Sequence, residues 1–154
     1  MTFAAPRLTF VMELRVGIGA PLEIGESPHG RRRIVPILGG TFEGPSLRGR
    51  VLPGGTDWQV TRADGVTELE ARYVLESDRG QTIYIRNIGM RHAPAPVMED
   101  LLAGRDVDPA IVYFRTAPMF ETAAPDLQWL TRAMFIGDAE RHPRDVVVRV
   151  WRVE

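Results

Sequence analysis

Gly39-Gly40-Thr41-Phe42-Glu43-Gly44-Pro45-Ser46-Leu47-Arg48-Gly49-Arg50-Val51-Leu52-Pro53-Gly54-Gly55-Thr56-Asp57-Trp58-Gln59 interleaves β-prone runs with turn residues. Glu43-Gly44-Pro45 and Pro53-Gly54-Gly55 combine the fixed φ of proline with the positive φ open to glycine. Both read as hairpin loops between the runs that carry Phe42, Val51 and Trp58. Upstream, Leu8, Phe10, Met12, Leu14 and Val16 alternate with Thr9, Glu13 and Arg15, the period-two signature of a strand with one buried face, broken only by Val11. Downstream, residues 57–62, 67–76 and 82–90 repeat the strand pattern between the turns Ala63-Asp64-Gly65 and Ser77-Asp78-Arg79-Gly80. Residues 34–42 and 47–52 complete the series around the quoted segment. Residues 111–120, 130–136 and 146–153 return to strand character.

Two stretches depart from this pattern. Residues 21–33, with Pro, Gly, Ser and three consecutive arginines, read as a surface loop whose Arg31 to Arg33 form a solvated turn. In residues 96–103, proline opens a run with Val97, Met98, Leu101 and Leu102 at helical spacing and Gly104 beyond it, which predicts one short amphipathic helix. Short strands about ten residues apart with such turns define an all-β fold. At this length a closed antiparallel barrel of nine or ten strands, spanning 1–154 as one domain, removes exposed sheet edges best.

Composition excludes several chemistries. The chain has 154 residues and no cysteine, so disulfides, thiolate nucleophiles and zinc-thiolate sites are absent. All 19 cationic side chains are arginine and none is lysine, which removes Schiff-base and phosphate-loop lysines. His29, His92 and His142 show no metal-binding spacing, so no metal is expected. Gly44-Pro45-Ser46-Leu47-Arg48 lacks the second glycine of a nucleophile elbow. No Gly-x-Gly-x-x-Gly joins a strand to a helix, so no dinucleotide cofactor is expected. A net charge of −1 offers no field to gather nucleic acid. Without a long apolar run or a signal-like amino terminus, a cytoplasmic protein that does not engage membranes is expected.

Candidate site residues come from the strands. Asp57 and Trp58 follow the Gly54-Gly55 turn and point to opposite faces. Trp58 reads equally as a core side chain and Asp57 as a turn stabiliser. Arg72 and Tyr73 also diverge: Tyr73 joins Leu69, Ala71 and Leu75, while Arg72 sits with Glu68, Glu70 and Glu76 in what resembles a solvated charge ladder. In the strand predicted over 111–120, Val112, Phe114 and Phe120 form one register and Tyr113 and Arg115 the other, a pattern expected of a strand buried on both sides. An inward Arg115 needs a partner, and Asp57, Glu121 or a bound anion are the candidates. Trp129 follows a turn and suits a pocket wall or the closure of one barrel end.

Several blocks in order resemble one family. They are Gly39-Gly40-Thr41-Phe42-Glu43-Gly44, Val51-Leu52-Pro53-Gly54-Gly55-Thr56-Asp57-Trp58-Gln59, Ala71-Arg72-Tyr73, Tyr113-Phe114-Arg115-Thr116 with Phe120-Glu121-Thr122, and Trp129-Leu130. Over nearly the whole chain this resembles the domain of unknown function 3237 family. The resemblance implies a calycin-type, lipocalin-like barrel with an interior pocket for a small hydrophobic or aromatic molecule, and it carries no general activity. Asp57, Trp58, Arg72, Tyr73, Arg115, Glu121 and Trp129 fall on its motifs. Asp78-Arg79-Gly80 departs from the family's Asp-Gly turn.

The leading expectation is therefore a barrel that binds a small hydrophobic or aromatic carbonyl or carboxylate compound, as a carrier or as a cofactor-free isomerase, cyclase or dehydratase. In the enzymatic version Asp57 or Glu121 is the acid or base, and Arg115 with Tyr113 stabilises an enolate-like anion. Trp58, Arg72, Tyr73 and Trp129 complete the ligand contacts. The competing expectation is a non-catalytic barrel that folds and forms homo-oligomers, a homodimer first, with Arg115 in an internal ion pair.

Overall fold

The computed structural model describes residues 1–154. Its strands are β1 (Leu8–Ile18), β2 (Leu22–Ser27), β3 (Gly30–Glu43), β4 (Arg48–Val51), β5 (Thr56–Thr61), β6 (Thr67–Ser77), β7 (Thr82–His92), β8 (Tyr113–Glu121), β9 (Phe135–Arg141) and β10 (Asp145–Val153). One helix, α1 (Ala95–Leu102), connects β7 to β8. All pairings are antiparallel, in the order β1-β10-β9-β8-β7-β6, and β6 then pairs with both β4 and β5. β3 pairs with β4 and β5 on one side and returns to β1 on the other, so the sheet closes on itself.

Ten strands make an eight-stranded barrel because two positions around the wall are interrupted. The 14-residue β3 runs the full height. Along one side it meets β1 below and β2 above, and along the other β4 below and β5 above. Gly54 (φ 102°) turns the chain between β4 and β5. At Gly55 a Cβ would run into the Cβ of Tyr73, so the glycine lets the chain cross close over β6 before β5 begins.

The two ends of the barrel are filled differently. At the end where β1 begins, Met12, Leu14, Phe42, Leu75, Ile83, Ile85, Phe120, Phe135 and Val150 make an apolar core. A 3-10 turn over Pro125–Thr131 closes it from below with Leu127 and Leu130. At the opposite end α1 lies across the opening with Met98 and Leu101 as its buried face, and Gly104 (φ 78°) ends it. No helix is long and apolar enough to cross a membrane.

The barrel, the helix and most strand bounds agree with the periodicity. The break at Val11 is a bulge: pairing with β10 shifts between Phe10 and Met12, and Val11 and Met12 are both buried. Four readings are corrected. Residues 21–33 form a hairpin of β2 and the start of β3, because β2 pairs only with β3 and, being mostly exposed, carries no amphipathic pattern to read. Arg33 is 3% exposed rather than solvated, since the alternation of β3 turns it inward with Val35 and Ile37. β9 begins at Phe135, Leu130 being drawn into the closing 3-10 turn. β8 is buried on one face only: Phe114, Thr116 and Phe120 point inward, and Tyr113, Arg115 and Glu121 are exposed.

Candidate functional site

Inward positions near the α1 end hold an unusual set. β3 supplies Arg33, β5 Asp57 and Gln59, β7 Asn87 and Arg91, β8 Thr116 and β9 Arg141. Each follows its strand's inward alternation, as Arg91 follows Ile83, Ile85 and Asn87. Together with Tyr73, Phe114, Val148, Leu101 of α1 and other apolar side chains they enclose a cavity of about 60 Å³. That is room for a few waters or a molecule with a handful of heavy atoms.

Bonding within this set is incomplete. Gln59 Nε2 donates to Asp57 Oδ2 at 2.7 Å, and Arg33 Nη1 donates to the Leu102 carbonyl of α1 at 3.1 Å. Arg33 also lies 3.6 Å from the half-exposed Glu23 on β2. Eight buried side-chain polar atoms in the chain lack a partner, and seven of them line this cavity: Arg33 Nε, Asp57 Oδ1, Gln59 Oε1, Asn87 Oδ1, Arg91 Nε, Thr116 Oγ1 and one Arg141 Nη. Arg91 is 3% exposed, and neither it nor Arg141 has a carboxylate within ion-pair distance. The Arg91 guanidinium sits 5.4 Å from the centre of the Phe114 ring, a cation–π contact.

Burial dominates the electrostatics. Desolvation lowers the Arg91 guanidinium to about 10 against the pull of Asp57, with repulsion from Arg141 and Arg33 adding to the fall. Arg33 and Arg141 are lowered for the same leading reason, Arg141 also by Arg33. Desolvation raises the Asp57 carboxyl even though Gln59, Arg91 and Arg33 all favour its ionised form. Tyr73 is raised by burial and by the neighbouring Asp57. The site is thus a buried, mostly apolar chamber with more guanidinium than carboxylate. It can bind an oxyanion, and it can exchange a proton through Asp57.

Of the sequence candidates, the barrel brings Asp57 and Tyr73 together at this cavity. Trp58, next to Asp57, points outward and is 44% exposed. Arg72 lies on the outer face 3.3 Å from Glu70, which also binds Arg86 at 2.6 Å. Arg115 pairs outside the barrel with Asp138 at 3.0 Å and lies against Tyr113, whose ring stacks on His92. Glu121 is exposed at the far end of β8, and Trp129 packs into the 3-10 turn beneath the apolar core. The sequence reading did not select Arg33, Gln59, Asn87, Arg91, Thr116 or Arg141. The signal available was a charged or polar residue continuing the apolar register of a strand, as Arg141 continues Phe135 and Ala139.

These features define a closed antiparallel β-barrel with a cationic chamber under a helical cap. The family model described as protein of unknown function (DUF3237) matches residues 6–153, and the chain belongs to that family. A UPF0311 protein from Rhodopseudomonas palustris is 44% identical over 144 residues, which cover 94% of each chain. The crystal structure of a conserved protein of unknown function from the same species superposes with a TM-score of 0.94 at 40% identity, over 99% of this chain and 100% of that one. A beta-barrel like protein from Acinetobacter baumannii superposes with a TM-score of 0.86 at 37% identity, over 99% of each chain.

Proposed function

We propose that the chamber binds a small carbonyl- or carboxylate-bearing compound with an apolar body. What supports this most is the convergence of seven unpartnered buried polar atoms on one cavity. Each such atom costs a fold about 1–3 kcal/mol, and a ligand oxygen can accept from the donors among them, the N–H groups of Arg33, Arg91 and Arg141 and the Thr116 hydroxyl. The competing expectation had Arg115 in an internal ion pair, whereas Arg115 pairs with Asp138 at 3.0 Å on the outer face of the barrel.

In the catalytic form of this reading, Asp57 moves a proton, and Arg91 with Arg141 holds the negative charge that develops on a carbonyl oxygen. Isomerisation, cyclisation and dehydration need no more than that. The closed chamber, at about 60 Å³, is smaller than the roughly 300 Å³ or more of common ligand pockets. An aromatic ligand therefore enters by displacing α1, which the Arg33–Leu102 hydrogen bond and the buried Met98 and Leu101 hold in place.

The test is calorimetric titration with aliphatic and aromatic carboxylic acids and ketones, in the wild type and in Ala71→Leu, which fills the chamber from β6. Saturable binding lost in a folded Ala71→Leu supports the reading. Binding of unchanged affinity in Ala71→Leu places the ligand elsewhere and refutes it.

A further inference from the structure

Charge accounting narrows the ligand class. Three guanidiniums reach the chamber, whereas the carboxylates beside them are Asp57 inside and Glu23 behind Arg33, the latter half in solvent. With Asp57 ionised, one positive charge stays uncompensated. With Asp57 protonated, two do. A neutral carbonyl compound accepts hydrogen bonds from the guanidiniums but leaves the net charge uncompensated in both cases. A carboxylate does, and it suits the paired donors of guanidinium groups.

Every charged or titratable group facing Asp57 is accounted for in the same geometry. Arg33 approaches from β3, Arg91 from β7 and Tyr73 from β6, Arg141 of β9 lines the same cavity, and Gln59 on its own strand holds one carboxylate oxygen. The other oxygen is buried without a partner. His142, the next residue after Arg141, lies outside the chamber, 3.3 Å from Glu140.

We infer that the chamber takes its ligand as a carboxylate-class anion, with Asp57 as the internal counter-ion that takes up a proton when the anion binds. This rests on the chamber being a binding site. An ionised Asp57 and the ligand compete for the same guanidiniums, so a bound anion raises the proton affinity of Asp57. Anion affinity then falls as pH rises through the titration of Asp57 and levels off above it. Asparagine at this position fixes the uncharged state, so the pH dependence disappears.

Isosteric pairs test this: acetate against acetamide, which suit the closed chamber, and benzoate against benzamide, which require α1 to move. Each is titrated calorimetrically between pH 5.5 and 8.5 in two buffers of different protonation enthalpy, with wild type, Asp57→Asn and His142→Asn. At the lowest pH at least one acid binds about tenfold or more tightly than its amide. Its affinity weakens with pH, binding takes up a fraction of one proton, and Asp57→Asn abolishes both effects while His142→Asn preserves them. Acids and amides that bind equally, or wild-type affinity flat across the range, overturn the inference and leave the binding reading standing. No binding by any of the four probes overturns both. A pH dependence that survives in Asp57→Asn assigns the proton to another group and refutes the role of Asp57.

Discussion

Replacing Arg91 with methionine should stabilise this protein. The side chain is 3% exposed and has no carboxylate partner, and burial pulls its guanidinium well below the usual arginine range, to about 10. At about 1.36 kcal/mol per pH unit, that fall opposes folding at neutral pH by about 3 kcal/mol. The sign follows from burial: the charged form is disfavoured in the folded chain, so the cost is present at every pH below 10 and fades only as the guanidinium loses its proton. Methionine fills a similar apolar volume without the charge and forfeits the contact with Phe114, worth about 1 kcal/mol. The net expectation is a gain of about 2 kcal/mol, which at this chain length is a melting temperature higher by roughly 4–8 °C. Urea unfolding at pH 7 measures it, the midpoint moving up with an unchanged slope. Anion binding should fall in the same variant. If Arg91→Met loses 1 kcal/mol or more while folding to the same barrel, the guanidinium is a net stabiliser, and the argument that the chamber trades stability for binding collapses.

Three further outcomes follow from the geometry. Asp57 is raised by desolvation, so its ionisation opposes folding above its own titration. Ligand-free wild type should gain stability relative to Asp57→Asn as pH drops from 8 toward 5, read from urea midpoints, and an opposite slope would contradict the assigned cause. Gly55→Ala drives a methyl into Tyr73 and should cost about 2 kcal/mol or more, seen as a lower midpoint; a neutral result would mean the chain shifts freely over β6 there. Arg115→Ala and Glu121→Gln alter the exposed outer face of β8 and should change stability by less than about 0.5 kcal/mol and ligand affinity by less than twofold; a larger loss of affinity would move the site to the outer wall.

The fold was legible because a barrel wall writes itself as alternation, as Leu69, Ala71, Tyr73 and Leu75 alternate with Glu68, Glu70, Arg72 and Glu76. What escaped was the structure of residues 22–33. β2 buries almost nothing, and an exposed strand has no period to show. Tyr73 was readable from the apolar register it shares with Leu69, Ala71 and Leu75, whereas the strand period showed only that Asp57 and Trp58 face opposite ways. Arg91 and Arg141 were not readable, because burial of a charge runs against the expectation that arginine marks solvent, and only the closed barrel reveals that their strand ends face one another. The aromatic and acidic residues in the family blocks drew attention to Trp58, Glu121 and Trp129, which share those blocks yet lie outside the chamber.

The two interrupted wall positions, where β1 gives way to β2 and β4 to β5, divide the barrel along its axis. The lower storey is continuous, apolar and capped by leucines. The upper storey adds the short β2 and β5, on either side of the first half of β3, to the long strands that run through both. Selection can therefore rewrite the lining of one without disturbing the other. Under the proposed function, relatives with this architecture that take different ligands should differ in upper-storey residues and agree in the lower storey.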